Sequence, residues 1–238
     1  MMKRLILNTF KTLGYDIVST FNPKLIGKHP LHDMKRFLHT DSPVVFDVGA
    51  NTGQSVQKFR GEFPNSTLYS FEPSPNTFSV LQQNTDQVEN LHLHNCAVGS
   101  EPGEMELLEN SYSDMSSFLS LGKSGWGEIE QRTPVEVITL DRFCAERGIN
   151  HIDILKSDTQ GFELEVFKGA REMIETGKIG LIYFEITFSE IYENIPSFSK
   201  MYDFLTSRDY LLVSFYKFHY HGQLASWTDA LFVHKSRV

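Results

Sequence analysis

The chain is poor in cysteine and has no long apolar run. Its two cysteines, Cys96 and Cys144, lack the spacing of a zinc motif and are too few for a disulfide framework. No apolar segment is long enough to cross a bilayer. Lys3 and Arg4 resemble the start of a signal peptide, but the apolar stretch that follows them already ends at Asn8. The sequence therefore predicts a cytoplasmic protein without an integral membrane segment.

Basic residues are also in the minority. The 238 residues include 22 Lys and Arg against 30 Asp and Glu, which gives a net charge of -8. A dedicated nucleic-acid binder normally has a basic stripe or patch, so we expect no nucleic-acid partner. A length below about 250 residues with 40% hydrophobic residues is typical of one domain with a sizeable core. The composition leaves open whether the chain forms a homo-oligomer.

Phosphate-binding motifs are missing as well. Neither G-x-G-x-x-G nor G-x-x-x-x-G-K-[ST] occurs in the chain. In their place, the apolar run Val44–Val48 leads into a turn that contains Gly49 and Gly53, just before a helical pattern. Glycines at such a turn adopt backbone angles closed to other residues and let a ligand lie against the main chain. The pattern predicts a turn that binds a nucleoside.

A carboxylate follows at the distance that this kind of turn requires. The next strand pattern ends in Glu72, about 20 residues beyond the glycines, where α/β nucleotide folds place an acid on the ribose hydroxyls. A cap for the following helix, or a solvated edge residue, is the simpler alternative. Because the glycine turn and Glu72 occur together, we favour ligand binding.

Four strings occur in the order found in one known family. They are the glycine turn at 46–53, Phe71-Glu72-Pro73, Thr139-Leu140-Asp141, and the run at 155–163. From about residue 43 to 233, the chain resembles the FkbM family of S-adenosylmethionine-dependent methyltransferases. The last string, K-x-D-x-x-G-x-E, is the most particular to that family. Ser157 stands where the family usually has an aliphatic residue, which changes packing but keeps the polar positions beside it.

The resemblance implies a fold of the α/β class, with a doubly wound, mostly parallel, seven-stranded Rossmann-like sheet whose last strand is antiparallel. Apolar strand patterns that alternate with helical patterns agree with it. We predict strands at 44–48, 67–71, 91–97, 152–156 and 179–185, a closing pair at 210–216 and 230–234, extra strands at 104–109 and 135–139, and helices at 55–62, 76–84 and 162–175. The methyltransferase domain would span 41–238. Residues 1–40 would form a helical extension with the amphipathic pattern Leu5, Leu7, Phe10, Leu13 and Ile17.

The resemblance also implies that the cofactor is S-adenosylmethionine. The residues expected to bind it are Asp47, Gly49, Asn51, Gly53, Glu72, Asn95 and Ala97. Asp47 would contact the methionine amino group through water, or else hold the glycine turn by accepting backbone N–H bonds. Asn51 would bind the methionine carboxylate or cap the helix that follows it. Asn95, or the backbone at Ala97, would meet the adenine edge.

The later string supplies the candidate catalytic groups Asp158, Lys156 and Glu163. Methyl transfer to an alcohol benefits from a base, and Asp158 at a strand end is our first choice. Glu163 begins a helix, so its charge could equally serve the first helical turn. Glu185 ends the next strand and could bind substrate, share Lys156, or hold a divalent cation with Asp158. The family resemblance does not establish a metal, and we predict none.

Acceptor contacts fall in less patterned regions. Ser116 and Ser117 lie in a polar insert and match a family position, so we assign them to substrate binding. A second cluster, at 219–229, contains two histidines that could act as alternative bases. A hairpin turn at His221-Gly222 explains that cluster more simply.

The sequence thus predicts an S-adenosylmethionine-dependent O-methyltransferase. Its acceptor would be a hydroxyl of a small molecule, a sugar or glycan, or a secondary metabolite. The alternatives are an N-methyltransferase on the same scaffold and a non-catalytic module that keeps the nucleoside pocket. A dehydrogenase is disfavoured because the pyrophosphate turn is missing.

Overall fold

The computed structural model describes Phe10, Thr12 and residues 25–238. A seven-stranded sheet is formed by β1 (Val44–Val48), β2 (Thr67–Phe71), β3 (Leu91–His94), β7 (Ile152–Ser157), β8 (Ile179–Thr187), β9 (Tyr210–His221) and β10 (Leu224–His234). The strand order is β3-β2-β1-β7-β8-β10-β9, and β10 is antiparallel to both of its neighbours. The other pairs are parallel. The predicted fold class and the antiparallel closing strand are confirmed.

Helices cover both faces of this sheet. They are α1 (Pro30–Lys35), α2 (Gln54–Glu62), α3 (Pro75–Asn84), α4 (Leu140–Arg147), α5 (Glu163–Gly169), α6 (Arg171–Glu175) and α7 (Phe198–Thr206). Successive side chains of a strand point to opposite faces, so β1 sends Phe46 to one core and Val45 to the other. Phe46 packs in the core that α4 to α7 cover, and Val45 in the core that α1 to α3 cover. Both side chains are fully buried.

A second, three-stranded sheet lies at the carboxyl end of the first. It contains β4 (Ala97–Val98), β5 (Gly103–Asn110) and β6 (Ile129–Ile138) in the order β4-β6-β5. The two extra strands predicted from the sequence are therefore present, and each is longer than expected. The polar insert, residues 111–128, joins β5 to β6 and is held back on β5 by backbone hydrogen bonds between Leu108 and Ser117.

Two predicted elements are divided in the structure. The strand expected at 91–97 is split into β3 and β4, which belong to different sheets, because Asn95 between them is exposed and bonds to the loop after β2. The helix expected at 162–175 is split into α5 and α6 at Ala170. The preceding Gly169 packs so closely on the Gly99 carbonyl that a Cβ atom there would lie 2.0 Å from its oxygen.

The sequence interpretation missed three helices, namely α1, α4 and α7. Residues 22–30 were expected to be a connector, and α1 begins at its end. Within α1, Asp33 is buried and accepts hydrogen bonds from the Tyr216 hydroxyl and the Gly27 amide. Residues 25–40 therefore pack on the sheet, and the division at residue 40 stays a prediction. The amphipathic helix proposed around Leu5 to Ile17 lies almost wholly outside the described residues.

Two glycines should respond in opposite ways to replacement by alanine. Gly61 is in α2 and a Cβ atom there meets nothing within 4 Å, so Gly61→Ala should raise the free energy of unfolding by about 0.5–1 kcal/mol. Gly169→Ala should lower it, because the new methyl group would collide with the Gly99 carbonyl. Urea unfolding of both variants measures this difference. Equal stability of the two variants would contradict the packing of α5 against Gly99.

Candidate active site

The site lies where the strand order reverses. From β1 the chain proceeds outward to β2 and β3, and it later returns to the other side of β1 as β7, so the carboxyl ends of β1 and β7 flank a crevice. Gly49 follows β1 and Asp158 follows β7. Gly49 has φ +76°, and a Cβ atom on it would lie 1.8 Å from the Asp158 carbonyl oxygen. A glycine is therefore required at this position for the two strand ends to touch, whether or not a ligand also lies against it.

Two cavities meet at this junction. The first, which we name the Glu72 cavity, has a volume of about 80 Å³ and lies between the ends of β1 and β2, strand β4 and the polar insert. The second, the Asp229 cavity, has a volume of about 570 Å³, opens to solvent and lies between strands β7, β8 and β10 and helices α1 and α2. Both are lined by Gly49, Asn51, Asp114 and Asp158. A group bound in one cavity can therefore contact a group bound in the other.

Glu72 is the buried acid of the first cavity. Its two carboxylate oxygens accept hydrogen bonds of 2.9 Å from the backbone amides of Asn51 and Ser74. Burial raises the pKa of this carboxyl to about 7, although both amides favour the ionised form. The side chain thus holds the glycine turn in place and also presents a strong acceptor to the cavity.

The opposite end of the Glu72 cavity is apolar. Ala97, between Cys96 and Val98, supplies one wall, and Phe118 and Phe162 supply another with ring centroids 4.8 Å apart. A flat, largely apolar ring fits between such walls. Asn95, the other predicted adenine contact, lies outside this cavity and donates to the carbonyls of Glu72 and Pro73. Its side chain fixes the loop that carries Glu72.

Asn51 and Gly53 have different positions in the turn. Asn51 lines both cavities with φ +47°, and its Oδ1 accepts a hydrogen bond of 3.1 Å from the Ser113 hydroxyl of the insert. It does not cap α2, because Gly53 is the N-cap residue. Gly53 faces away from the two cavities, toward α3, and a Cβ atom on it would lie 2.9 Å from Thr85 Cγ2. The close packing of this turn on α3 explains why position 53 is a glycine.

A buried ion pair lies directly below the junction. The Lys156 ammonium is 3.0 Å from Asp47 Oδ1 and 3.8 Å from Asp158 Oδ2, and it donates to the Gly49 carbonyl at 2.7 Å. Burial alone would lower the pKa of Lys156, but the charges of Asp47 and Asp158 outweigh it and raise the pKa. Lys156 therefore stays protonated and is unsuited to act as a base. Asp47 also accepts a 2.5 Å hydrogen bond from Ser55, and its own burial is complete.

Asp158 is the accessible acid of the junction. Its side chain is 42% exposed and lines both cavities. Oδ1 accepts a hydrogen bond of 2.7 Å from the Gln160 side chain. The other predicted acid of this string, Glu163, is buried and lines neither cavity. Its Oε1 accepts from the Thr159 amide at 2.8 Å, so the geometry gives it a role in holding the 159–163 turn.

Glu185 and Asp229 form the far wall of the second cavity. They face each other across the β8–β10 pair, and Asp229 accepts a 2.7 Å hydrogen bond from the Tyr183 hydroxyl. Burial, together with the charge of Asp158, raises the pKa of Glu185 well above its ordinary value. Burial likewise raises the pKa of Asp229 to about 6. Over the described residues, no three acidic, histidine or cysteine side chains are arranged to hold a metal ion.

The insert residues Ser116 and Ser117 line the Glu72 cavity, away from the Asp229 cavity. The Ser117 hydroxyl donates to the Gln160 carbonyl at 2.7 Å, and Ser116 Oγ accepts from the Asn110 amide at 3.0 Å. The structure therefore places them nearer to the predicted cofactor contacts than to the acids of the second cavity. Their substrate role stays a prediction.

The histidine cluster is a hairpin, as the simpler interpretation predicted. β9 ends at His221, and Gly222 has φ +59° in the turn. His219 stacks on Trp227 at 4.5 Å and lines neither cavity.

Sequence reasoning did not assign Asp229, Gln160 or Tyr183 to the site. Asp229 was noticed only as part of the polar cluster at 219–229. Gln160 lies inside the recognised string, where a side chain between two site residues could have been suspected. The position of Asp229 depends on the register of an antiparallel pair, which the sequence does not specify.

The burial of Glu163 gives a pH dependence of stability. Its pKa is raised from 4.5 to about 7 by burial, so the folded protein binds this proton more tightly than the unfolded chain. The contribution to stability is complete below pH 4.5 and is lost as the pH rises to 7. Relative to Glu163→Gln, the wild type should lose about 3 kcal/mol of unfolding free energy over that range, measured by urea unfolding.

Glu165 is the matched control, because it lies in the same first turn of α5 but is partly exposed and paired with Lys168 at 2.6 Å. Glu165→Gln should change the pH profile far less. A flat difference between wild type and Glu163→Gln would contradict the buried acid.

Comparison with known proteins places the chain in a family. The family model described as Methyltransferase FkbM domain matches residues 47–212. A curated relative, the 2-O-methyltransferase NoeI of Sinorhizobium fredii, is 26% identical in an alignment of 181 positions that covers 71% of this chain and 74% of that protein.

Two further relatives match over a smaller share of their length. The 31-O-demethyl-FK506 methyltransferase FkbM of Streptomyces tacrolimicus is 28% identical, with 54% of this chain and 60% of that protein aligned. The hexuronic acid methyltransferase AglP of Haloferax volcanii is 24% identical, with 57% of this chain and 53% of that protein aligned. The chain therefore spans between half and three quarters of the length of these relatives.

A solved structure agrees on the fold. The fibrillarin pre-rRNA processing protein of Methanococcus jannaschii superposes with a TM-score of 0.51 at 11% identity, over 82% of this chain and 68% of that one. In the part of the chain that the structure describes, no helix is both long and apolar enough to cross a membrane. Since the family model matches well over half of the sequence and the fold agrees with it, the chain belongs to the FkbM family of S-adenosylmethionine-dependent methyltransferases.

Proposed function

We propose that the enzyme transfers the methyl group to a hydroxyl of a polyhydroxyl compound, such as a sugar or glycan. The observation that carries the proposal is the position of Asp158, which is open to both cavities at the point where they meet. The relatives named as 2-O-methyltransferase and hexuronic acid methyltransferase support an oxygen acceptor and a sugar, respectively.

The Glu72 cavity is suited to the donor. Its apolar end, between Ala97 and Phe162, fits the adenine ring, and Glu72 fits the ribose diol. When bound, S-adenosylmethionine supplies a methyl group on a sulfonium centre that is attacked by a nucleophile. Gly49 and Asn51 line the end nearest to Asp158, where the methionine part would lie. Of the residues predicted to bind the cofactor, Asp47, Gly53 and Asn95 would act indirectly, through the turn, the helix and the loop that they hold.

The Asp229 cavity is suited to the acceptor. Glu185 and Asp229 offer oxygen atoms that accept hydrogen bonds from sugar hydroxyls, and Tyr183 holds Asp229 in place. Lys58 of α2 lines the same cavity, so its lining carries charges of both signs.

Asp158 would act as the base. Its carboxylate takes the proton of the acceptor hydroxyl while that oxygen forms a bond to the methyl carbon and the carbon–sulfur bond breaks. Lys156, 3.8 Å from Asp158 Oδ2, helps to hold the carboxylate in place, which is a supporting role in the reaction. The proton then passes to solvent, to which Asp158 is partly exposed.

The two cysteines are free and buried, which suits a cytoplasmic location. An N-methyltransferase remains the second candidate, since a neutral amine needs no base and would depend less on Asp158.

Glu72→Gln tests the donor site. Loss of a charged acceptor should weaken binding of S-adenosylhomocysteine by about 1.5–3 kcal/mol in calorimetric titration. Because the pKa of Glu72 is about 7 in the empty protein, wild-type affinity should rise between pH 6 and pH 8, and the variant should show no such rise. Glu106→Gln, an exposed acid paired with Arg132, is the control. Unchanged affinity in Glu72→Gln would remove the ribose assignment.

Asp158→Asn tests the reaction. With an acceptor found by screening sugars and glycans, the variant should lose about 100- to 10,000-fold in kcat, because its side chain takes up no proton. Affinity for S-adenosylhomocysteine should stay within a few fold of the wild type. The exposed Asp86→Asn serves as the control. Turnover by Asp158→Asn near the wild-type rate would favour the amine acceptor.

A further inference from the structure

Gln160 occupies a constrained position beside the proposed base. Its backbone has φ +54°, in the left-handed region that residues other than glycine and asparagine rarely adopt. In this conformation its Nε2 donates to Asp158 Oδ1 at 2.7 Å and lies 3.4 Å from Glu185 Oε1. One amide group therefore connects the acid at the end of β7 to the acid on β8.

Tyr192 determines the orientation of the Gln160 side-chain amide. Its side chain is buried, and its hydroxyl donates to Gln160 Oε1 at 2.8 Å. The carboxylates of Asp158 and Glu185 accept hydrogen bonds when ionised, so they need the NH₂ end of the amide. The hydroxyl of Tyr192 also lies 3.3 Å from the Met115 carbonyl, but its shorter contact is with Gln160 and favours the oxygen end of the amide on that side. The two contacts agree on a single orientation.

The main chain of Gln160 is held as well. Its carbonyl accepts the 2.7 Å hydrogen bond from Ser117 of the insert. Tyr192 packs on Met115 of the same insert in a small apolar cluster. The residue is thus anchored through its backbone and through the far end of its side chain.

We propose that Gln160, oriented by Tyr192, is a positioning residue for Asp158. This inference rests on the proposed role of Asp158 as the base. The amide binds Oδ1 and Lys156 lies toward Oδ2, so the carboxylate is held in one rotamer with its remaining lone pairs directed to the junction of the two cavities. Without the amide, the carboxylate turns among several rotamers.

The test uses two variants with matched controls. Gln160→Met keeps the length of the side chain and removes both hydrogen-bonding ends, and Tyr192→Phe removes only the hydroxyl. The controls are Gln57→Met, which deletes an amide bonded to the Asn84 carbonyl, and Tyr210→Phe, which deletes a buried hydroxyl bonded to the Ile179 carbonyl. Thermal melts of all four establish folding. Tyr192→Phe is the milder change and preserves the test if Gln160→Met unfolds.

The primary readout requires no acceptor. A titration of ¹³C-labelled aspartate carboxyls by NMR follows Asp158, whose signal is assigned by its absence in Asp158→Asn. In Gln160→Met the Asp158 signal should titrate at a higher pH than in the wild type, because a hydrogen bond to the ionised form is lost. Tyr192→Phe should shift this titration by less, and the controls should leave it unchanged. Lys156, Glu185, Asp229 and Glu163 also face Asp158 and are intact in every variant.

The second readout is kinetic. Once an acceptor is known, Gln160→Met should lower kcat by about tenfold or more with little change in KM for S-adenosylmethionine. An unchanged Asp158 titration in a folded Gln160→Met protein would overturn the proposal. Full activity of Asp158→Asn would instead refute the base assignment and leave the titration result valid, so the two failures are distinguishable.

Discussion

The site depends on one buried cation. The Lys156 ammonium is taken out of water at the centre of the sheet, and this is tolerable only because Asp47 and the Gly49 carbonyl receive it. These partners belong to β1 and to the glycine turn, and Lys156 belongs to β7. The cation therefore joins the two strands whose ends form the crevice, and both cavities lie beside this ion pair.

Acids are distributed around this cation in two environments. Asp47 lies below it without exposure, and Asp158, Glu185 and Asp229 lie above it beside open cavities. Burial raises the pKa of Glu185 and Asp229, and Asp158 remains the most exposed of the three. Four carboxyl groups in one small volume thus differ in their solvation and in their partners.

The sequence predicted most of the scaffold and part of the site. β1 and β2 were predicted to the residue because each is a short apolar run with a clear end, and Glu72 and Asp158 follow from strand ends in the same way. The surroundings of Glu163 and Gly53 were harder to predict, because in sequence an acid in a helical turn or a packing glycine looks the same as a ligand contact. Gly53 packs on α3 and Glu163 holds the 159–163 turn, and both contacts form only in the folded chain. The division between α5 and α6 likewise depends on the contact of Gly169 with Gly99, far away in sequence.

The long β9–β10 hairpin has a consequence for how this enzyme could change. Asp229 faces the cavity only because β10 pairs with β8 in the observed register, and a slip by one residue would turn the whole strand over. The turn at Gly222 lies beyond the part of β10 that pairs with β8. The length of this outer ribbon can therefore change without moving Asp229 or the glycine turn that Lys156 holds.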